Sequence, residues 1–247
     1  MDFVKELKGE VVYVTTPEKA INYKWKEGYE KLSSGLEIVS IDDINKMDCD
    51  MFIGNRVMEG SLLTKHPFMP NKYIDINNSE DIIIKSKLNC LGIIARFLGA
   101  KEYETLYATE ETTEVSISTS GNIEYRVVKV EAGMKVSERD NATGKYYRHE
   151  TFAGEFTEEN YYHAIEEAKR FGLYSDPDIN YLLEVRNPKY PNQQTSQHVK
   201  IELTRDLESK LDIAFSLNVA GIFKLNTNYN KVVSERKKVS LETSITF

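Results

Sequence analysis

One change of period constrains this chain most. Between Ser79 and Leu98 the apolar residues recur at helical spacing, with Ile84, Leu88, Leu91, Ala95 and Leu98 on one face. From Tyr103 the spacing drops to two: Val115 and Ile117 alternate with Ser, and Ile123, Tyr125 and Val127 alternate with Glu and Arg. A helix stripe and a run of alternating strands have to bury different surfaces, so the expected class is α+β. Ser79 is placed as the helix cap, Glu80 and Asp81 in its first turn, and Gly99 as its stop. Gly92 and Gly99, one heptad apart, are placed to let another element approach closely.

Upstream of that helix, Val11-Val12-Tyr13-Val14 is a short β-rich run. Thr16 reads as an N-cap, Pro17 as the first helical residue and Glu18 as an acid at the positive end of the dipole. Ile21, Trp25, Tyr29 and Leu32 follow at helical spacing, and Gly35 closes the segment. Ile38-Val39, Met51-Phe52-Ile53 and Tyr73-Ile74-Asp75-Ile76 read as further strands, and 54–71, with Pro67 and Pro70, as a long loop. Strand–helix–strand order predicts a parallel pair joined by a right-handed crossover.

Downstream, turn signals between 103 and 152 predict a four-stranded antiparallel meander that includes Met134, Val136, Tyr146 and Tyr147. Thr157 and Ser175-Asp176-Pro177 open two helices, with faces at Tyr161, Ile165 and Ala168 and at Ile179, Leu182 and Leu183. Val199, Ile201 and Leu203 form a strand. Leu211, Ile213, Phe215, Leu217 and Val219 all sit at odd positions, and Phe223, Leu225 and Tyr229 continue the period. This predicts a hairpin over 211–229, with a helix between Asp206 and Gly221 as the alternative. Val239, Leu241, Ile245 and Phe247 finish in strand spacing. The expected fold is α+β: a small N-terminal α/β unit over 1–77, then an α+β part over 78–247 with antiparallel meander, two helices and C-terminal amphipathic strands. The alternative is one continuous domain.

Charge excludes one large class. The 32 Lys and Arg stand against 39 Asp and Glu, for a net charge of −7, and the densest basic cluster is Arg236-Lys237-Lys238. Nucleic acid is therefore not an expected partner. Cys49 and Cys90 lie far apart, without a CxxC pair, and suit a reducing compartment as packed thiols. No basic-then-apolar leader opens the chain, and Lys85, Lys87 and Arg96 break the longest apolar windows, so a cytoplasmic protein is expected.

Fingerprints of nucleotide binding, hydrolysis and metal binding are missing from the sequence, and no cofactor or metal is expected. His163 with Glu166 or Glu167 reads as an ordinary helix-surface pair. Arg148-His149-Glu150 lies on a strand, so His149 points opposite to its neighbours. Asp42, Asp43, Asp48 and Asp50 form an acidic patch near strand ends, where sites of α/β units collect. Asp42, Asp43 and Asp75 are the candidate ligand-binding residues, with a solvated loop as the simpler reading. The 15 tyrosines suit an interface or a core.

The run 211–229 offers an interface or a membrane-facing surface through Leu211, Ile213, Phe215, Leu217, Val219, Phe223 and Leu225. The terminal Val-x-Leu-x-Thr-x-Ile-x-Phe run resembles the last strand of outer-membrane barrels, a resemblance carried by nine residues. The favoured expectation is a non-enzymatic cytoplasmic binding or assembly protein with a protein partner or a second copy. One alternative is an enzyme with an acidic site at the N-terminal strand ends. The other is a membrane-inserting pore former that uses the 211–229 hairpin.

Overall fold

The computed structural model describes residues 6–25, 35–54, 56–117, 123–128, 147–191, 193–203, 205–219 and 225–247. Among them are seven helices and two sheets that contain antiparallel strands, the expected α+β class. The chain divides into two compact units that interleave in sequence. The first comprises Met1–Ile82, Thr113–Val127 and Asp206–Arg236, and the second Ile83–Thr112, Val128–Arg205 and Lys237–Phe247.

The first unit is built on β1 (Val11–Thr15), β2 (Leu36–Ser40), β3 (Phe52–Ile53), β4 (Leu62–Lys65) and β5 (Tyr73–Asp75), in the order β2-β1-β4-β5-β3. β1 and β2 are parallel, as are β3 and β5, while β4 runs antiparallel to both its neighbours. The parallel β1–β2 pair matches the expected order, with α1 (Pro17–Lys24) between the two strands. The Thr16 hydroxyl accepts from the Lys19 N–H at 3.3 Å, so the local cap signal is used as read. Val12, Val14, Val39, Leu63 and Tyr73 join Ile44 of α2 (Ile41–Ile44) in one core. Val11, Ile38, Leu62 and Ile74 on the alternate positions are also fully buried. A sheet covered on both faces explains why these strands read as continuous apolar runs.

The 54–71 segment is not a loop throughout. β4 lies inside it, pinned between Gly60-Ser61 and His66-Pro67, and it is the strand that bridges the two parallel pairs. Four residues between breakers were too short to register as a periodic run.

α3 (Ser79–Phe97), which lies in the second unit from Ile83 on, buries Ile84, Leu88, Leu91 and Ala95, and Leu98 just beyond it, as expected. Ser79 takes a different role: its hydroxyl donates to the Ile76 carbonyl at 2.7 Å, at the end of a 3-10 turn. Gly99 has φ +80°, and a Cβ there would lie 2.6 Å from the Cβ of Phe156. A Cβ on Gly92 would lie 2.8 Å from a Glu150 oxygen. Gly99 therefore serves the close approach anticipated for it, whereas the neighbour of Gly92 is the end of a flexible side chain.

The second sheet has the order β7-β6-β10-β9, with β8 paired to β6. Its strands are β6 (Glu102–Ile117), β7 (Ile123–Val128), β8 (His149–Thr151), β9 (Ser196–Glu202) and β10 (Glu235–Thr246). The sequential meander is corrected here, because β8 returns to β6 and β10 comes in from the far end of the chain. Met134, Val136 and Tyr146 lie outside the described residues. α4 (Glu158–Arg170) is capped by Thr157, as read, and α5 (Pro177–Val185) by Asp176, within the expected opening. Lys87 is fully buried, with its amine on Asp176 at 2.9 Å and on the Glu202 carbonyl at 2.7 Å. Arg186 is held between the rings of Phe156 and Phe247 and donates to the Leu98 carbonyl, near the negative end of α3.

The 211–229 hairpin is corrected more fundamentally. Residues Arg205–Val219 form α6, and Thr227–Ser234 form α7. Leu207, Lys210, Leu211, Ala214 and Phe215 are buried, which is the i, i+3, i+4, i+7, i+8 pattern of one helix face. Lys210 and Ala214 concealed it. The Lys210 stem is buried while its amine donates to the Lys65 carbonyl at 2.7 Å.

Candidate interaction surface

The three candidate acids are not brought to one place. Asp42 is exposed at the start of α2, and Asp43 donates its N–H to the Ser40 hydroxyl cap at 3.1 Å. Asp75 ends β5, opposite Leu63, which pairs with Val12, itself level with Glu37. β2 and β5 are three strand positions apart. At about 4.8 Å per strand and 3.3 Å per residue, that puts Asp75 roughly 14 Å sideways and 10 Å along from Ser40. Carboxylates so placed do not share a proton or a ligand. A groove of about 310 Å³ does lie at Asp42 and Asp43, between Ile21 and Lys24 of α1 and Ser40 and Lys46. Its acids face lysines, and Asp43 lies 3.9 Å from the Lys46 amine.

Asp75 instead has structural partners. One oxygen accepts from the Asn77 N–H and the other from the Tyr229 hydroxyl at 2.9 Å. Tyr229 accepts in turn from the Leu62 N–H at 3.2 Å. Burial drives the Tyr229 phenol up to about 12, and the Asp75 charge adds to the shift.

The 211–225 residues divide. Leu211 and Phe215 are buried in α6, Ile213 is half-buried against Gly35, and Leu225 is buried ahead of α7. Leu217 and Val219 lie in the last turn of α6, and Phe223 falls outside the described residues. No helix among the described residues is long and apolar enough to cross a membrane.

Cys90 is buried, and its thiol is pushed up to about 12, chiefly by that burial. Cys49, expected to be packed, is exposed on a 3-10 turn beside Asp48 and Asp50. The Asp48 carboxylate accepts from the Asp50 N–H at 2.9 Å, which is turn capping. His149 lies 3.7 Å from Glu102, while Arg148 bonds Glu150 on the other side, as strand alternation required. His163 lies 3.3 Å from Glu166 and 3.9 Å from Glu159, exposed on α4.

Among the described residues, four exposed tyrosines lie along α4, α5 and the segments beside them, on the second unit. Tyr162 of α4, Tyr174 between α4 and α5, Tyr181 of α5 and Tyr190 beyond it are 51%, 40%, 55% and 54% exposed. Tyr161 is buried, with its ring 5.7 Å from that of Tyr162 in an edge-on arrangement. Burial raises the Tyr161 phenol, and the Glu184 carboxylate and the phenols of Tyr174, Tyr162 and Tyr190 add to the rise. Tyr162 donates to Glu158 at 3.3 Å, and the Lys169 amine stands over the Tyr174 ring at 5.1 Å. Sequence reading found both helices and the tyrosine count without locating this face. The available signal was that Tyr162 and Tyr181 fall off the apolar stripes of two amphipathic helices. No protein-family model, curated protein or solved structure matches the chain.

Proposed function

We propose that this chain is a non-catalytic cytoplasmic binding protein whose contact surface is the tyrosine face of α4 and α5. One observation carries the reading: Tyr162, Tyr174, Tyr181 and Tyr190 are all exposed along α4, α5 and the segments beside them, on one unit. Tyrosine supplies large, rigid contact area with a polar tip at low entropic cost, and it is enriched at protein interfaces. Asp75, Asp48 and Ser40 cap or bridge backbone, and Cys90 is buried.

A photo-reactive amino acid in place of Tyr181, in cells that produce the protein, tests this. A discrete adduct is expected at 181 and not at Lys46, which is exposed on the other unit. Equal labelling at both positions, or none at 181, overturns the reading.

A further inference from the structure

We infer that the second unit encloses a hydration site, with water held between Tyr103, Gln197 and Thr243 on the covered face of its sheet. The inference is independent of the tyrosine surface above. It begins with the terminal strand, where Val239, Leu241 and Ile245 are apolar and buried while Thr243 among them is polar. Thr243 and Tyr103 are fully buried, and Gln197 is 6% exposed. The Tyr103 and Thr243 hydroxyls and both amide atoms of Gln197 have no hydrogen-bond partner among the described residues. A polar group taken out of water without a partner costs far more than one that keeps a bond. Four such atoms in one unit therefore call for a partner from outside the chain.

Strand register brings the three side chains together. Gln197 of β9 lies opposite Ile245 of β10, and Val199 opposite Thr243, so Gln197 and Thr243 are diagonal neighbours on one face. Diagonal neighbours stand about 7–8 Å apart, within reach of a long side chain. β6 flanks β10 on the other side. The Lys101 N–H donates to the Thr246 carbonyl at 2.6 Å. With β6 starting at Glu102 and β10 ending at Thr246, the two overlap only by running antiparallel. Tyr103 is two residues on from Lys101 and Thr243 three back from Thr246, which sets them nearly level. Burial raises the Tyr103 phenol and the Thr243 hydroxyl offsets part of the rise, so the two are neighbours, though outside hydrogen-bond geometry. The chemistry of the groups then sets the occupant. A phenol, an alcohol and a carboxamide offer neutral donors and acceptors together, which suits water and not an ion. The charges that act on the phenol, Arg148 and Glu150, bond one another.

The test uses the full chain with Tyr103→Phe, Thr243→Val and Gln197→Met, singly and together. Magnetic relaxation dispersion of the water oxygen counts waters that outlast tumbling, and hydroxyl proton exchange does not disturb it. The triple variant is expected to lose at least one such water relative to wild type. In urea unfolding, each single variant is expected to lower the midpoint, because it takes one partner from the water. The triple variant is expected to lose less than the sum of the three, since no group is then left short. Equal water counts in wild type and triple variant overturn the inference. Single variants that raise the midpoint, with shifts that add, show groups without any partner and overturn it. Coupling confined to Tyr103 and Thr243 shows a direct bond between them and overturns it as well. If the triple variant does not fold, the pair Thr243→Val with Gln197→Met is measured in its place, and an unchanged water count overturns the inference.

Discussion

The imidazole of His66 is 3% exposed, and its Nδ1 accepts from the N–H groups of Phe68 and Met69 at 3.1 Å each. The ring is therefore neutral in the fold and acts as a cap for the 66–71 turn. Burial, and then the Lys210 charge, lower it from 6.5 to about 4. An unfolded histidine takes up its proton near 6.5, while the folded one resists until about 4. The stabilisation is complete above pH 6.5 and is lost as pH falls towards 4, by roughly 3 kcal/mol at most. His66→Asn keeps a short acceptor for the turn and removes the titration. The stability gap between wild type and this variant should therefore move in the variant's favour from pH 7 to pH 4.5, measured by urea unfolding. A gap that does not change with pH removes the explanation. Tyr229→Phe, by the same kind of reasoning, leaves the Leu62 N–H without its acceptor and should cost about 1–3 kcal/mol. An unchanged urea midpoint would count against the Tyr229 bridge. Neither role was legible in the sequence. His66 works on N–H groups only two and three residues away, but histidine is not among the usual turn-capping residues, while Tyr229 works on Leu62, 167 residues away.

At the scale of elements, legibility followed how local the signal was. The starts of α1, α4 and α5 were readable because Thr16, Thr157 and Asp176 act within three residues of themselves. The place of β10 between β6 and β9 was not, since it depends on pairing between distant segments. α6 shows how a pattern supports two periods at once. Its odd positions are apolar, as in a strand, yet the buried set runs 207, 210, 211, 214 and 215. The two readings differ on a pair of small residues. A strand puts Ala214 and Ser216 on one face, while a helix turns them about 200° apart. Ala214 is fully buried, and Ser216 is half-buried with its hydroxyl on the Ile213 carbonyl at 2.6 Å. Ala214→Asp should thus cost at least about 3 kcal/mol by burying a carboxylate, and Ser216→Asp no more than about 1 kcal/mol. Thermal melts of the two variants decide it, and equal losses would contradict the helix.

For the whole molecule, the decisive property is that neither unit is continuous in sequence. Residues 1–77 looked self-contained because five strand and helix signals follow one another there, and an α/β reading closes on itself locally. The first unit also takes in Thr113–Val127 and Asp206–Arg236. Those late segments do specific work in it: Lys210 donates to the Lys65 carbonyl, Tyr229 joins Leu62 to Asp75, and Ile213 lies against Gly35. Leu207, Leu211, Phe215 and Val233 are buried on α6 and α7. A fragment of residues 1–82 retains the whole β2-β1-β4-β5-β3 sheet and loses both helices. Its strands are apolar on both faces, so removing cover exposes alternate rows such as Val11, Ile38 and Leu62 or Val12, Val39 and Leu63. The fragment is expected to keep strand signal in the far-ultraviolet, lose the tyrosine signal in the near-ultraviolet, and unfold in urea without a cooperative step. Tyrosine is the better probe, because Trp25 is 85% exposed and reports little of the core. A fragment with a cooperative transition and a dispersed amide spectrum would show instead that the sheet carries its own core, with α6 and α7 as additions to it.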